Sequence, residues 1–261
     1  MKLDNNVAAV VTGGASGLGE ATVRMLANSG VRVAVFDMNA ERGEAVAQDT
    51  DGIFCQVDVT SDESVATGLA KARAAHGTER ILVNCAGIAP GRKTVSKNRE
   101  TGAFVPHDMA TFQKGIEVNL VGTFRMIASC AAGMAGLEPV TSDGGRGVIV
   151  NTASIAAQDG QVGQASYAAS KAGILGLTLP VARDLASFGI RVVSIMPGLF
   201  HTPMFDGLPD EVRKALETTI PYPSRLGKPA EYAKLVRAIV ENDMLNGESI
   251  RLDGALRMAP K

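Results

Sequence analysis

The chain is 261 residues long, 46% hydrophobic and 20% charged, and its 26 lysines and arginines nearly balance 27 acids. That near-neutral balance lacks the basic footprint of a nucleic-acid binder, and the length suits one large α/β domain. Cys55, Cys85 and Cys130 are odd in number, widely spaced and without a Cys-x-x-Cys pair, which points to a reducing compartment and away from disulfides or zinc.

In chain order, residues 7–12, 31–36, 53–57, 81–84, 148–152, 191–196 and 249–252 read as strands. Most are β-branched and apolar on both faces, as expected of parallel strands covered on both sides. Helical spacing fills residues 19–28, 40–48, 62–75, 109–135, 166–187 and 230–242. The alternation predicts right-handed βαβ units in a single Rossmann-type doubly wound α/β domain over residues 1–261, with about seven parallel strands flanked by helices. Pro180 falls inside the fifth helix, where it is expected to cost a hydrogen bond and introduce a kink.

Three segments interrupt the alternation. Residues 90–107 are an insertion carrying Arg92, Lys93, Lys97 and Arg99, and residues 136–146 are a polar loop. Residues 199–227 combine Phe200, Met204, Phe205, Leu208 and Leu216 with Pro203, Pro209, Pro221 and Pro223. An apolar excursion of that length off a strand end is the expected position of a substrate lid. No run of 18 apolar residues is present, so no membrane span is expected. Six residues before the first strand are too few for a signal or ordinary transit peptide. Cytoplasm is the expected location, or the mitochondrial matrix for a eukaryotic source.

The first strand runs into Thr12-Gly13-Gly14-Ala15-Ser16-Gly17-Leu18-Gly19, and a helix follows at once. Gly13, Gly17 and Gly19 permit a tight turn and close backbone approach to a pyrophosphate, which the helix N-terminus then attracts. Asp37 ends the second strand, eighteen positions past Gly19, where a carboxylate holds adenosine ribose hydroxyls and repels a 2′-phosphate. NAD is therefore expected over NADP, with Arg42 the nearby residue that opposes this choice. The alternative role for Asp37 is a cap for the helix starting at Ala40.

Tyr167 and Lys171 lie four apart on one helix and so share a face. A cation beside a phenol favours phenolate, the bias an acid/base group needs in carbonyl–alcohol chemistry. Ser154 stands thirteen residues upstream and Asn119 further back.

The glycine-rich turn, Asn84-Cys85-Ala86-Gly87, Asn119, Ser154 and Tyr167-x3-Lys171, in this order, resemble the short-chain dehydrogenase/reductase family over essentially the whole chain. Within it the chain is most similar to the type-2 3-hydroxyacyl-CoA dehydrogenase group, also described as 17β-hydroxysteroid dehydrogenase type 10. The stretches V-N-C-A-G-I-A (83–89), G-V-I-V-N-T-A-S (147–154), G-Q-V-G-Q-A-S-Y (160–167), P-G-L-F (197–200), P-S-R-L-G (223–227) and N-G-E-S-I-R-L-D-G-A-L-R-M (246–258) carry that likeness. Cys85 replaces the second asparagine of the usual family string, a substitution the type-2 group shares.

The resemblance implies NAD contacts at Ser16, Leu18, Asp37, Asp58, Val59, Cys85, Ala86 and Gly87, with Phe200 and Thr202 near the nicotinamide. It implies that Tyr167 is the general acid/base, that Lys171 lowers its pKa and holds the nicotinamide ribose, and that Ser154 donates to the substrate oxygen. Asn119 is implied to anchor a water linking Lys171 to solvent. Gln161 and Gln164, between Ser154 and Tyr167, are expected beside the reacting carbon. Lid residues Leu199, Phe200, Met204, Phe205 and Leu208 suit an acyl chain, and the basic insertion either meets CoA phosphates or is a solvated loop. His76, His107 and His201 lack ligand spacing, so no metal is expected.

Small residues Ala168, Ala169, Ala172, Gly173 and Gly176 line the Tyr167 helix, and the family implies a homotetramer built through this helix and residues 109–135. The expected activity is NAD-dependent oxidation of a small-molecule secondary alcohol, foremost (S)-3-hydroxyacyl-CoA to 3-oxoacyl-CoA. The alternatives are a hydroxysteroid dehydrogenase, a 3-oxoacyl-thioester reductase, or a non-catalytic NAD-binding scaffold or sensor.

Overall fold

The computed structural model describes residues 1–203 and 210–260. Its central sheet has the order β3-β2-β1-β4-β7-β8-β9 with every neighbouring pair parallel. These strands are β1 (Ala8–Thr12), β2 (Arg32–Asp37), β3 (Ile53–Gln56), β4 (Ile81–Asn84), β7 (Gly147–Thr152), β8 (Ile190–Pro197) and β9 (Ser249–Leu252). Helices α1 (Gly17–Asn28), α2 (Ala40–Asp49), α3 (Asp62–His76), α4 (Met109–Ile116), α5 (Gly122–Ala135) and α6 (Ala165–Leu185) intervene. Two more, α7 (Asp210–Glu217) and α8 (Pro229–Glu241), follow β8. The expected doubly wound α/β architecture is present.

Alternate residues of each strand feed separate cores, as the two-residue strand period requires. Ala9, Val11, Val33 and Val35 pack with Val23 and Leu26 of α1 and Tyr232, Val236 and Ile239 of α8. Val10, Ala34, Phe36 and Leu82 pack instead with Leu69 of α3, Met126, Ile127 and Cys130 of α5, and Val181 of α6. The chain reverses its strand order between β2 and β4, on either side of β1. Ligand crevices of open α/β sheets form at such a switch point, beyond the carboxyl ends of the strands.

Three features differ from the sequence reading or add to it. The helix expected over 109–135 contains a wide π-type turn at Glu117–Val121 that separates α4 from α5. Met109–Ala135 is also, among the described residues, the helical stretch long and apolar enough to cross a bilayer. Much of its apolar surface is nonetheless committed to the sheet through Met126, Ile127, Cys130 and Met134. The insertion forms an antiparallel hairpin of β5 (Val95–Lys97) and β6 (Phe104–Pro106), pairing Ser96 with Val105. Helix α6 continues through Pro180 to Leu185. Of the expected lid, Met204, Phe205, Leu208 and Pro209 lie outside the described residues.

Candidate active site

A cleft of about 760 Å³ opens at the carboxyl ends of β1, β4 and β7. Its floor is set by glycine. Gly13 has a left-handed φ of 63°, and a β-carbon there would stand 2.8 Å from the Ala86 nitrogen, so the turn closes directly onto the end of β4. A β-carbon on Gly19 would come within 2.1 Å of the Gly13 carbonyl oxygen, which presses α1 against the turn. Thr12 Oγ1 accepts from the Cys85 and Ala86 amides at 3.2 Å each, fixing the two loops together. Ser16 begins α1 in extended conformation and its hydroxyl makes no capping hydrogen bond. The first-turn amides of α1 thus lack a side-chain acceptor, the condition for holding an anion.

Asp37 closes the adenosine-side wall. Its carboxylate accepts from the Ala15 amide at 3.1 Å and the Asn39 amide at 3.0 Å, bridging the glycine turn and the end of β2. Asn39, not Asp37, caps α2 by accepting from Arg42 N. Asp58 accepts from the amide and hydroxyl of Thr60, and these bonds hold its carboxyl below the usual range. Arg42 is exposed and is not part of the cleft wall.

The opposite wall carries the polar groups. Ser154 lies two residues past β7 and caps a short turn by accepting from Ala156 N at 3.1 Å. Its hydroxyl donates to Tyr167, which favours phenolate, but burial is the larger influence and pushes the phenol above its ordinary pKa. Lys171 Nζ stands 5.9 Å from the Tyr167 ring centroid and donates to the Thr152 carbonyl at 2.7 Å. Burial lowers its pKa to about 8. The sequence reading expected the ammonium to dominate and lower the phenol; in the protein alone, desolvation of both groups reverses that balance.

Thr152 has a second role here. Its hydroxyl donates to the Asn84 carbonyl at 2.6 Å, so the Tyr232 hydroxyl, 2.7 Å away, must be the donor to Thr152. Cys85 completes this cluster, and burial raises its thiol pKa, which leaves no reactive thiolate. Nothing in the residue spacing signals Thr152 or Tyr232, because their partners lie 68 to 80 positions apart in the chain.

Gly13, Ser16, Gly17, Leu18, Asp37, Asp58, Val59, Cys85, Ala86, Gly87, Phe200 and Thr202 all line this one cleft, together with Ser154, Tyr167 and Lys171. Asn119, Gln161 and Gln164 do not. Asn119 is fully buried behind the wall, accepting from Ile88 N and donating to Ile88 O and Ser170 Oγ. Its side-chain amide is bound by these protein partners, and its oxygen and Lys171 Nζ both flank Gly87, where a β-carbon would meet them at 3.1 and 3.5 Å. Gln161 Nε2 donates to the Ala259 carbonyl at 2.8 Å, and Gln164 Oε1 accepts from Gln161 N at 3.0 Å. Both glutamines are thus held in the loop before α6. Lys114, Glu117 and Val118 line the cleft as well and were missed, since their helix reads as a plain amphipathic stretch.

The short chain dehydrogenase family profile matches residues 7–213. A 3-hydroxyacyl-CoA dehydrogenase type-2 of Drosophila melanogaster is 51% identical over 257 residues, covering 98% of this chain and 99% of the relative. The crystal structure of a 3-hydroxyacyl-CoA dehydrogenase type-2 from Mycobacterium avium superposes with a TM-score of 0.93 at 41% identity, covering 100% of both chains. A 7α-hydroxysteroid dehydrogenase complexed with NADH and 7-oxo glycochenodeoxycholic acid superposes at 0.85 with 26% identity, covering 100% of this chain and 97% of its own. The chain belongs to the short-chain dehydrogenase/reductase family and is an oxidoreductase.

Proposed function

We propose that this protein is an NAD-dependent dehydrogenase interconverting (S)-3-hydroxyacyl-CoA and 3-oxoacyl-CoA. The observation that carries the reading is the meeting of Ser154, Tyr167 and Lys171 on one wall of a cleft whose far wall bears Asp37 and the glycine turn. The type-2 3-hydroxyacyl-CoA dehydrogenases similar over the whole chain support the substrate class. The residues present fit a dinucleotide. The uncapped start of α1 suits a pyrophosphate, and Asp37 suits ribose hydroxyls while opposing a 2′-phosphate. When bound, NAD supplies the hydride acceptor.

Tyr167 takes the hydroxyl proton during oxidation and returns it during reduction. Ser154 donates to the reacting oxygen as negative charge develops on it. Lys171, held by the Thr152 carbonyl, biases Tyr167 toward phenolate and holds the nicotinamide ribose. Asn119 keeps the Ile88 loop and Ser170 of α6 in register around Lys171. Phe200, on the cleft wall, offers apolar surface to the acyl chain, and the exposed cations in and just before the hairpin, Lys93, Lys97 and Arg99, meet the CoA phosphates. Open apolar surface at Val121 just before α5, Phe124 on α5 and Leu179 on α6 suits a homotetramer. Three free cysteines suit a reducing, cytoplasmic or matrix, environment.

Initial rates with NADH and NADPH against acetoacetyl-CoA test this reading. NADH is expected to support turnover, and Tyr167→Phe is expected to lower kcat at least about a hundredfold without loss of NADH binding. Turnover of 7-oxo bile acids but not of acetoacetyl-CoA would favour the steroid alternative, to which the 7α-hydroxysteroid dehydrogenase likeness lends some support. No turnover of either would favour the scaffold.

A further inference from the structure

Ser154 and Tyr167 are joined by a short turn (Ile155–Ala157) and then seven residues, 158–164, without regular structure. What holds that segment comes from the other end of the chain. Arg251, on β9, donates Nη1 to Gln158 Oε1 at 2.7 Å and Nη2 to Asp159 Oδ2 at 2.6 Å. The same guanidinium donates Nε to Asp253 at 2.7 Å and Nη2 to the Leu256 carbonyl at 2.9 Å. The side chains of Arg251, Asp159 and Asp253 are only 17%, 14% and 7% exposed. Beyond this fork the C-terminal residues run along the segment. The Met258 amide reaches the Asp159 carboxylate, Ala259 O accepts from Gln161 Nε2 at 2.8 Å, and Pro260 O accepts from Val162 N at 3.0 Å. Asp253 also backs the cleft, since a β-carbon on cleft-lining Gly198 would meet its Cβ at 2.8 Å.

We propose that Arg251 and residues 258–260 form a latch that sets the position of Ser154 relative to Tyr167, which makes Arg251 a positioning residue for the reaction. The inference rests on the dehydrogenase reading above. A planar fork that satisfies four acceptors in fixed directions fixes distances as well as charge, which a lysine cannot reproduce. Two carboxylates and two guanidiniums, counting Arg257 at 3.3 Å from Asp253, balance one another, so the cluster adds no net charge beside the site. Its contribution is geometric, and misplacement of reacting groups by an ångström costs on the order of a hundredfold in rate.

The test uses the full-length enzyme, Arg251→Met, Arg251→Lys, and a chain ended after Arg257. Steady-state rates with NADH and acetoacetyl-CoA are read beside NADH fluorescence titration and hydrogen exchange of residues 158–164. The latch predicts a kcat at least about tenfold lower in all three proteins, an NADH affinity within about threefold of the parent, and faster exchange in the segment. Unchanged kcat despite faster exchange overturns the latch, as does full recovery by Arg251→Lys or an NADH affinity that falls in step with kcat. If Arg251→Met fails to fold, the shortened chain decides by the same criteria. An inactive parent enzyme sinks the dehydrogenase reading along with the latch; an active parent with unimpaired variants sinks the latch alone.

Discussion

Replacing Lys171 with methionine isolates the influence of one charge on one phenol. The ammonium stands 5.9 Å from the Tyr167 ring, and at an effective dielectric near 20 a unit charge at that distance favours phenolate by roughly 3 kcal/mol. That corresponds to a factor on the order of a hundred in phenolate population at a given pH below the transition. The bias is complete only while the lysine is charged, below about pH 8. Methionine keeps the packing volume and removes the charge, so the minor phenolate population below about pH 8, where the wild-type lysine is charged, is expected to fall in the variant. The acid limb of kcat for alcohol oxidation is expected to move upward in parallel. If the acid limb of kcat falls over the same pH range in both proteins while NADH still binds the variant, Lys171 does not tune Tyr167, and its role reduces to holding ribose.

The same burial predicts a stability signature. Between about pH 8 and the ordinary lysine value of 10.5 the unfolded chain binds a proton that folded Lys171 does not, so wild type gains stability relative to Lys171→Met as pH rises. The gain totals about 3 kcal/mol, readable by urea unfolding at several pH values, and a difference that stays flat with pH would contradict it. Arg73→Met is expected to cost about 3–5 kcal/mol, because it strands Glu79, whose side chain is 1% exposed and held by Arg73 at 2.7 Å. Adding Glu79→Gln should recover part of that loss in the same denaturation assay, and no recovery would mean the charge was not the cause. Asp37→Ala is expected to weaken NAD and ease entry of NADP in paired titrations; an unaltered preference would remove Asp37 from cofactor selection.

The sheet was legible because its strands are apolar on both faces, so runs such as residues 81–84 and 148–152 admit few other readings. The hairpin at Val95–Lys97 and Phe104–Pro106 was not, since its side chains are almost all exposed and leave no buried alternation to detect. The wide turn at Glu117–Val121 was equally silent, because apolar spacing continues across it. In the site, order and spacing pointed to the residues of the cleft wall. They did not give the pKa direction of Tyr167, which depends on desolvation rather than on a neighbour four residues away. Nor did they place Gln161, whose partner Ala259 lies 98 positions distant.

The break of pitch between α4 and α5 lets one rod serve two customers. An extra residue in the winding rotates what precedes it by about 100° relative to an unbroken helix. The leading half can therefore lean on α6, near Tyr167, while the trailing half lies on β4, β7 and β8. Removing Leu120 or Val121 from the turn would swing Lys114 out of the cleft's rim while leaving Glu117, Val118 and Asn119 in the chain.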